Sequence, residues 1–158
     1  MSTHSVVVGY LLWLFGGVFG LHRLYFGKRT TGVLWFLTLG LGGVGWLVDV
    51  FLIPGMRREM ARAYQAGRYN YSIAWLFLVF LGSLGVHRFY VGRWGTGLLY
   101  LGASLASGSA FVLGLPPVTF GLGGLVAVAI AYDLLTFNEL LSEANERWIS
   151  GDAALGVT

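Results

Sequence analysis

The sequence predicts an all-α integral membrane protein built from two tandem transmembrane helical hairpins, with four spans in total and a glycine-broken second helix in each repeat. Residues 20–27 return 65 positions later as residues 85–92, where glycine, histidine, arginine, tyrosine and glycine recur in register. Apolar residues make up 56% of the chain and charged residues only 11%, against about 25% charged in soluble domains. A soluble fold of this composition could not cover its surface with polar side chains.

The first predicted hairpin covers residues 6–55. Residues 6–21 carry no charge and form the first span, with Arg23 snorkelling toward the headgroups from its end. Residues 24–31 are predicted to be the turn. Residues 32–53 form the second span, which Pro54 and Gly55 are expected to end.

A basic linker at residues 56–71 mixes arginine with tyrosine, which is typical of a segment at the headgroup level. The second hairpin covers residues 72–137 and carries an insertion of about 19 residues, because the arginine-to-aspartate spacing grows from 26 (49 − 23) to 45 (133 − 88). The insertion leaves five spans as an alternative to four. Residues 138–158 are predicted to be an amphipathic tail outside the membrane.

Glycine is dense in the second helix of each repeat, at residues 40–45 and 121–124. Close packing of helices is the first explanation, since glycine lets transmembrane backbones approach each other. The alternatives are a broken helix or backbone carbonyls that coordinate an ion or substrate. The predicted helix-packing glycines are Gly20, Gly27, Gly42, Gly43, Gly85, Gly92, Gly123 and Gly124.

The repeated motif resembles the TM2 domain family, whose pattern is an apolar helix ending in Gly-x-His-Arg-Phe-Tyr-x-Gly, followed by a glycine-broken helix with an aspartate. The matching residues of the first copy are Gly20, His22, Arg23, Tyr25, Gly27, Gly32, Gly42, Gly43, Trp46 and Asp49. Those of the second are Gly85, His87, Arg88, Phe89, Tyr90, Gly92, Gly97 and Asp133. Leu24 stands where phenylalanine is usual. The resemblance implies a hairpin topology and no common biochemical activity.

The candidate polar motif comprises His22, Arg23, Tyr25, Asp49, His87, Arg88, Tyr90 and Asp133. Each arginine either fixes the depth of its helix or lines a path and grips a lipid phosphate. Each histidine is expected to hydrogen-bond within its turn. A metal site is not expected, because three or four convergent ligands are wanting.

The two aspartates are the most informative residues, because a carboxylate in an apolar run costs several kcal/mol on insertion scales. An uninterrupted second helix would place Asp49 about 27 Å from the turn, at the membrane face opposite Arg23. We therefore expect Arg57 or Arg58 as its partner. Arg23 becomes possible only if the chain folds back at residues 40–45 or if an antiparallel dimer forms. Both aspartates are expected to face protein.

No nucleophile with a nearby base is evident, and cysteine is absent, so we expect no catalytic residue and no cofactor. The leading hypothesis is a non-enzymatic scaffold or assembly element that contacts membrane partners, a second copy of itself, or anionic lipid headgroups, and no nucleic acid. The alternative is a small oligomeric transporter or channel lined by the intramembrane Asp and Arg residues. The cytoplasmic (inner) membrane of a bacterial-type cell is the expected location. Hairpin geometry places five basic residues on each side, so charge does not orient the chain.

Overall fold

The computed structural model describes residues 3–154, and the regular elements of that part are all helices. The chain divides into two compact units. Unit 1 comprises the described residues of Met1–Ser72 and Phe137–Thr158, and unit 2 is Ile73–Thr136. The long last helix contributes its first half to unit 2 and its second half to unit 1.

Unit 1 begins with α1 (Val6–Gly16) and a single 3-10 turn (Gly17–Phe19). The short α2 (Leu21–Tyr25), α3 (Arg29–Gly42) and α4 (Val44–Ala63) follow. Trp13 of α1 and Trp46 of α4 stack with ring centroids 4.9 Å apart. Each indole N–H donates to the other residue's backbone carbonyl, at 2.7 and 2.9 Å. This reciprocal contact fixes α1 against α4.

The predicted second span is interrupted at the glycine run. Leu39, Gly40 and Leu41 have left-handed backbone angles, and Gly42 and Gly43 also have positive φ. Regular helix therefore ends at Thr38, whose hydroxyl donates to the Leu34 carbonyl at 2.7 Å and accepts the Leu41 N–H at 3.1 Å. The chain reverses here, so the prediction of a glycine-broken second helix is confirmed in the first repeat. In the second repeat that prediction is wrong, because residues 121–124 lie inside the continuous helix Pro116–Ala154.

Pro54 does not end the second helix, contrary to the prediction. It lies inside α4, which continues to Ala63 and takes up the first half of the predicted linker. Proline lacks the N–H that would bond to the carbonyl four residues earlier. That carbonyl belongs to Val50, and the Tyr10 hydroxyl donates to it at 3.1 Å. A tertiary hydrogen bond thus replaces the missing helical one.

Unit 2 has the same order of elements 65 residues later. Its part of α5 (Tyr71–Leu81) leads into a 3-10 turn (Gly82–Leu84), α6 (Val86–Tyr90) and α7 (Trp94–Val112). Gly114 has φ +67°, and α8 (Pro116–Ala154) starts at a proline, a residue suited to the first helical position. The inserted residues lengthen both limbs of the α7–α8 hairpin. Because α8 is continuous to Ala154, the predicted tail is not a separate helix.

Two helices in the described part of the chain, α7 and residues 116–151 of α8, are long and apolar enough to cross a membrane. The apolar stretches Val6–Phe19 and Tyr71–Leu84 are shorter. The count of four spans stays a prediction.

Candidate functional site: two buried histidine–arginine–aspartate clusters

The first cluster lies in unit 1, where Asp49 is fully buried between His22 and Arg23. The Nε of Arg23 donates to Oδ2 of Asp49 at 2.8 Å, and its Nη2 binds Oδ1. Nε2 of His22 lies 2.7 Å from Oδ2. Because a carboxylate only accepts hydrogen bonds, the proton of a neutral imidazole sits on Nε2. The arginine charge is neutralised within the cluster.

Two reversals of the chain bring these residues together. Gly20 has φ +75°, which starts α2 in the direction opposite to α1. A Cβ there would lie 2.6 Å from the Gly32 carbonyl oxygen, so only glycine fits. The left-handed turn at residues 39–43 then directs α4 back toward α2. The expected partners Arg57 and Arg58 are wrong, since that prediction assumed an unbroken helix; the fold-back that admits Arg23 is the observed geometry.

An aromatic ring completes the first cluster. The guanidinium carbon of Arg23 lies 3.5 Å from the Trp35 ring centroid, within the range of a cation–π contact. The indole Nε1 of Trp35 and the Nδ1 of His22 are buried and have no hydrogen-bond partner among the described residues.

The second cluster lies in unit 2 and has the same arrangement around Asp133, which is also fully buried. His87 Nε2 lies 2.7 Å from Oδ2, the Nε of Arg88 donates to that oxygen at 3.0 Å, and its Nη2 binds Oδ1. The insertion therefore leaves the geometry of the cluster unchanged, although it spoils the spacing in sequence.

Tyr100 distinguishes the second cluster from the first. It occupies the position of Trp35 at the 65-residue shift, and its hydroxyl donates to Oδ2 of Asp133 at 2.7 Å. Neither Trp35 nor Tyr100 is among the predicted residues of the polar motif. The signal was present, because both positions are aromatic at the repeat distance.

The two tyrosines of the predicted motif lie outside the clusters. The Tyr25 hydroxyl accepts the Ser5 N–H at 2.8 Å and lies 2.7 Å from the Ser72 hydroxyl oxygen. Tyr90 packs edge to face against Phe77, with ring centroids 5.5 Å apart. Both therefore serve packing around the motif.

A separate polar group in unit 1 surrounds His4, which is fully buried. Its Nε2 lies 3.4 Å from the Asn138 Oδ1, and the Asn138 amide donates to the carbonyls of Leu24 and Tyr25 at 3.2 and 3.1 Å. Asn138 thus satisfies the last carbonyls of α2. Burial lowers the pKa of His4 to about 4, while the hydrogen bond with Asn138 acts in the opposite direction. No pattern in the sequence pointed to either residue.

The predicted helix-packing glycines differ in their surroundings. Close contacts hold at Gly20, Gly27 and Gly85, where an added Cβ would lie within 3.0 Å of another residue, and Gly92 has φ +79°. A Cβ on Gly123 would lie 3.3 Å from the Ser107 hydroxyl. Added Cβ atoms on Gly42, Gly43 and Gly124 would meet no described atom within 4 Å. Gly42 and Gly43 serve the left-handed turn instead of a helix contact.

No group of three or more His, Cys, Asp or Glu side chains that could hold a metal ion occurs within residues 3–154. Each cluster brings together one histidine and one carboxylate. Its chemistry is that of a neutralised ion pair with its charges directed inward.

Comparison with known families identifies the family of this chain. The model of the TM2 domain matches residues 2–51 and again residues 67–116. The chain belongs to the TM2 domain family. The family resemblance is therefore confirmed, and TM2 membership together with the two long apolar helices indicates a membrane protein. The second match ends at Pro116, so the geometry, and not the match, relates Asp133 to Asp49.

Similar TM2 domain-containing proteins occur in Dictyostelium discoideum. One is 47% identical over 66 residues, which is 42% of this chain and 43% of the relative. Two others are 51% and 50% identical over 47 residues, which is 30% of this chain and 29% and 34% of those relatives. The chain thus aligns with less than half the length of each of these relatives. These names carry no enzymatic activity, and these eukaryotic relatives lend no support to a bacterial-type inner membrane. No solved structure matches the chain.

Proposed function

We propose that the protein is a non-enzymatic membrane scaffold of the TM2 type, which acts through helix contacts with membrane partners or a second copy and through anionic lipid. The observation that supports the proposal is that the charged groups of both clusters are buried and bind each other. Asp49 and Asp133 are fully buried, and each carboxylate is bound by the His and Arg of its own unit. Charges used in this way stabilise a fold.

The exposed surface supports a role in contacts. Large apolar side chains point outward along α3, α4, α7 and α8, and Phe51 is 82% exposed. An apolar surface of this extent fits hydrocarbon or another apolar helix. Arg58 and Arg62 are exposed, and their charges suit anionic headgroups. The cytoplasmic membrane stays the predicted location.

Lipid enrichment in nanodiscs tests the contact with anionic lipid. Detergent-solubilised protein is reconstituted into nanodiscs of phosphatidylcholine with and without phosphatidylserine, and lipid retained after purification is quantified. We expect enrichment of phosphatidylserine around the wild type and a loss of that enrichment in the Arg58→Gln/Arg62→Gln variant. Arg147→Gln is the control, because Arg147 already pairs with Glu143 at 3.1 Å. Equal enrichment in all three proteins would contradict the lipid contact.

Self-association tests the scaffold part. Förster transfer between two labelled populations in nanodiscs is measured at increasing protein-to-lipid ratios. Transfer that rises with protein density and falls when Phe51 is replaced by serine supports contacts through the apolar surface. Transfer no greater than random mixing would contradict a homo-oligomeric scaffold.

A transporter or channel is the alternative, and one observation favours it. A cavity of about 460 Å³ in unit 2 lies between α7 and α8, and its lining includes Arg88 and Tyr100, both of which contact Asp133. Proton, potassium and chloride flux in proteoliposomes distinguishes the two functions. The scaffold predicts no flux above that of empty vesicles, whereas flux by the wild type above that background would establish the alternative.

A further inference from the structure

We propose that unit 1 enters the bilayer and leaves it on the same side, as a wedge held in one phospholipid leaflet. This inference rests on the proposed membrane location and lipid contact, and it goes beyond the scaffold role. It replaces the expected crossing of the first hairpin by a re-entrant path. The interaction partner is the leaflet itself, with its headgroups at one end of the unit and its hydrocarbon at the other.

One end of unit 1, named here the basal end, collects the polar termini of its helices. The Lys28 ammonium lies 2.7 Å from a Glu59 carboxylate oxygen, so the turn before α3 lies beside the last turns of α4. The Ser5 N–H donates to the Tyr25 hydroxyl at 2.8 Å, which places the start of α1 beside the end of α2. Arg29 also pairs with Glu139 at 2.5 Å.

These contacts correct the geometry of a simple hairpin. That geometry assigned the turn and the linker to opposite membrane faces, which left five basic residues on each side. In unit 1 they lie together, because Lys28 contacts Glu59 and an added Cβ on Gly27 would lie 3.0 Å from the Met60 side chain. The lysine holds the pKa of Glu59 below its ordinary value. Basic residues of both segments therefore face one surface.

The opposite end, named here the tip, is apolar. It consists of the 3-10 turn at Gly17–Phe19 and the reversal at residues 39–43, and Trp46 lies against both. An added Cβ on Gly17 would lie 2.6 Å from the Trp46 ring, and one on Gly40 would lie 3.3 Å from its Cβ. The exposed side chains at this end are Phe19, Leu39, Leu41 and Val44. Residues 30–48 include no charged side chain that could reach headgroups on the far side.

The helices that lead up to the tip are too short to cross, and the 20 residues of α4 include the charged segment 57–62 of the basal end. The 14 residues of Val6–Phe19 span about 21 Å at 1.5 Å per residue, whereas the hydrocarbon core is about 30 Å thick. Regular α3 from Arg29 to Thr38 covers about 15 Å. An apolar tip at that depth lies inside the hydrocarbon.

Backbone groups at the tip form hydrogen bonds within the two turns. This matters in hydrocarbon, where an unsatisfied polar group is costly. The Leu41 N–H donates to the Thr38 hydroxyl at 3.1 Å, and the Gly43 N–H donates to the Leu39 carbonyl at 3.1 Å. The Gly20 N–H donates to the Gly17 carbonyl at 3.0 Å. Both reversals thus bond internally, as a turn buried in lipid must.

Sidedness is the first test, and the chain lacks cysteine, so single cysteines report without a background. Thr30→Cys and Arg62→Cys place exposed thiols at the basal end. Each variant is labelled with a membrane-impermeant maleimide in intact spheroplasts and in inverted vesicles. The proposal expects both thiols to react in the same preparation. Reaction of the two in opposite preparations would overturn it.

Depth is the second test. A nitroxide is attached to Val44→Cys, which is 68% exposed at the tip, in phosphatidylcholine–phosphatidylserine vesicles. The wedge expects strong relaxation by oxygen and weak relaxation by a water-soluble nickel complex. Strong relaxation by nickel would overturn it. Leu47→Cys, also exposed, gives the same readout if the first variant does not fold.

Unit 2 supplies the matched control. The 19 residues of α7 span about 28 Å, close to the full hydrocarbon thickness. Leu113→Cys at the end of that helix therefore calibrates the far interface against Arg93→Cys at its start. If the tests show that unit 1 crosses the bilayer, the scaffold proposal is unaffected, because a scaffold needs only to be inserted in the membrane. Flux in proteoliposomes would contradict the scaffold proposal, but it would not change the labelling expected for the two cysteines of unit 1.

Discussion

Arg23 and Asp49 meet through two hydrogen bonds from one guanidinium edge, although 26 residues separate them (49 − 23). The arginine is 7% exposed and the aspartate 0%. Removing one member of a buried pair leaves the other charge without compensation. Substitutions in this cluster therefore test whether the two chain reversals of unit 1 depend on the ion pair.

We expect Asp49→Asn to lower the free energy of unfolding by about 3 to 5 kcal/mol, because Arg23 would stay buried and charged. Thermal unfolding in detergent measures the change. The double variant Arg23→Gln/Asp49→Asn should recover part of the loss, since it removes both charges. Glu59→Gln breaks only the exposed pair with Lys28 and should change stability little. A double variant less stable than Asp49→Asn would contradict the pairing.

In the second cluster, Tyr100→Phe should destabilise by about 1 to 3 kcal/mol, because Asp133 would lose one of its buried hydrogen bonds. The bond in question is the 2.7 Å contact from the tyrosine hydroxyl. Tyr132→Phe is the control, since that tyrosine is exposed. Comparable melting temperatures for Tyr100→Phe and wild type would show that the hydroxyl adds nothing.

Gly20→Ala and Gly85→Ala should both destabilise strongly. Their φ values are +75° and +71°, and an added Cβ would lie 2.6 and 2.7 Å from the carbonyl oxygens of Gly32 and Gly97. Gly55→Ala provides the opposite case, because Gly55 is inside α4 with open space around it. That substitution should raise stability by up to about 1 kcal/mol. Equal effects at the three positions would refute this account of the turns.

His4 predicts a loss of stability in mild acid. Its pKa is lowered to about 4 from 6.5. Between about pH 6.5 and pH 4 the imidazole is therefore protonated in the unfolded chain and neutral in the folded chain. The free energy of unfolding should fall as the pH drops from about 6.5 toward 4, by about 3 kcal/mol in total. Melting temperatures between about pH 7 and pH 5 measure this trend. His4→Gln should flatten it, and an unchanged slope would rule His4 out.

Tyr10 and Pro54 should be energetically coupled. Tyr10→Phe should cost about 1 kcal/mol, because the Val50 carbonyl would lose its donor. In a Pro54→Ala background the alanine N–H can bond to that carbonyl, and the same substitution should then be nearly neutral. A double-mutant cycle of unfolding free energies gives the coupling. Additive effects would show that the tyrosine bond does not replace the helical one.

The repeated motif predicted the helical class and the family because glycine, histidine and arginine act within a few residues of each other. The partner of Asp49 could not be predicted from the sequence. Gly40 is held in its left-handed conformation by tertiary neighbours, the Trp46 Cβ and the Val18 carbonyl oxygen, which an added Cβ would approach to 3.3 and 3.5 Å. The same holds at Pro54, where a distant tyrosine determines whether the helix continues. Local patterns describe the propensity of a segment and not the neighbours that overrule it.

The α7–α8 hairpin adds its 19 extra residues beyond the polar cluster, and the ligands of Asp133 keep the arrangement seen around Asp49. Hairpin height and cluster geometry are therefore independent variables in this fold. A change in limb length can match the unit to a thicker or thinner bilayer, at a cost of only fractions of a kcal/mol per Å of mismatch. The two tandem copies thus combine one kind of buried cluster with helical limbs of unequal length.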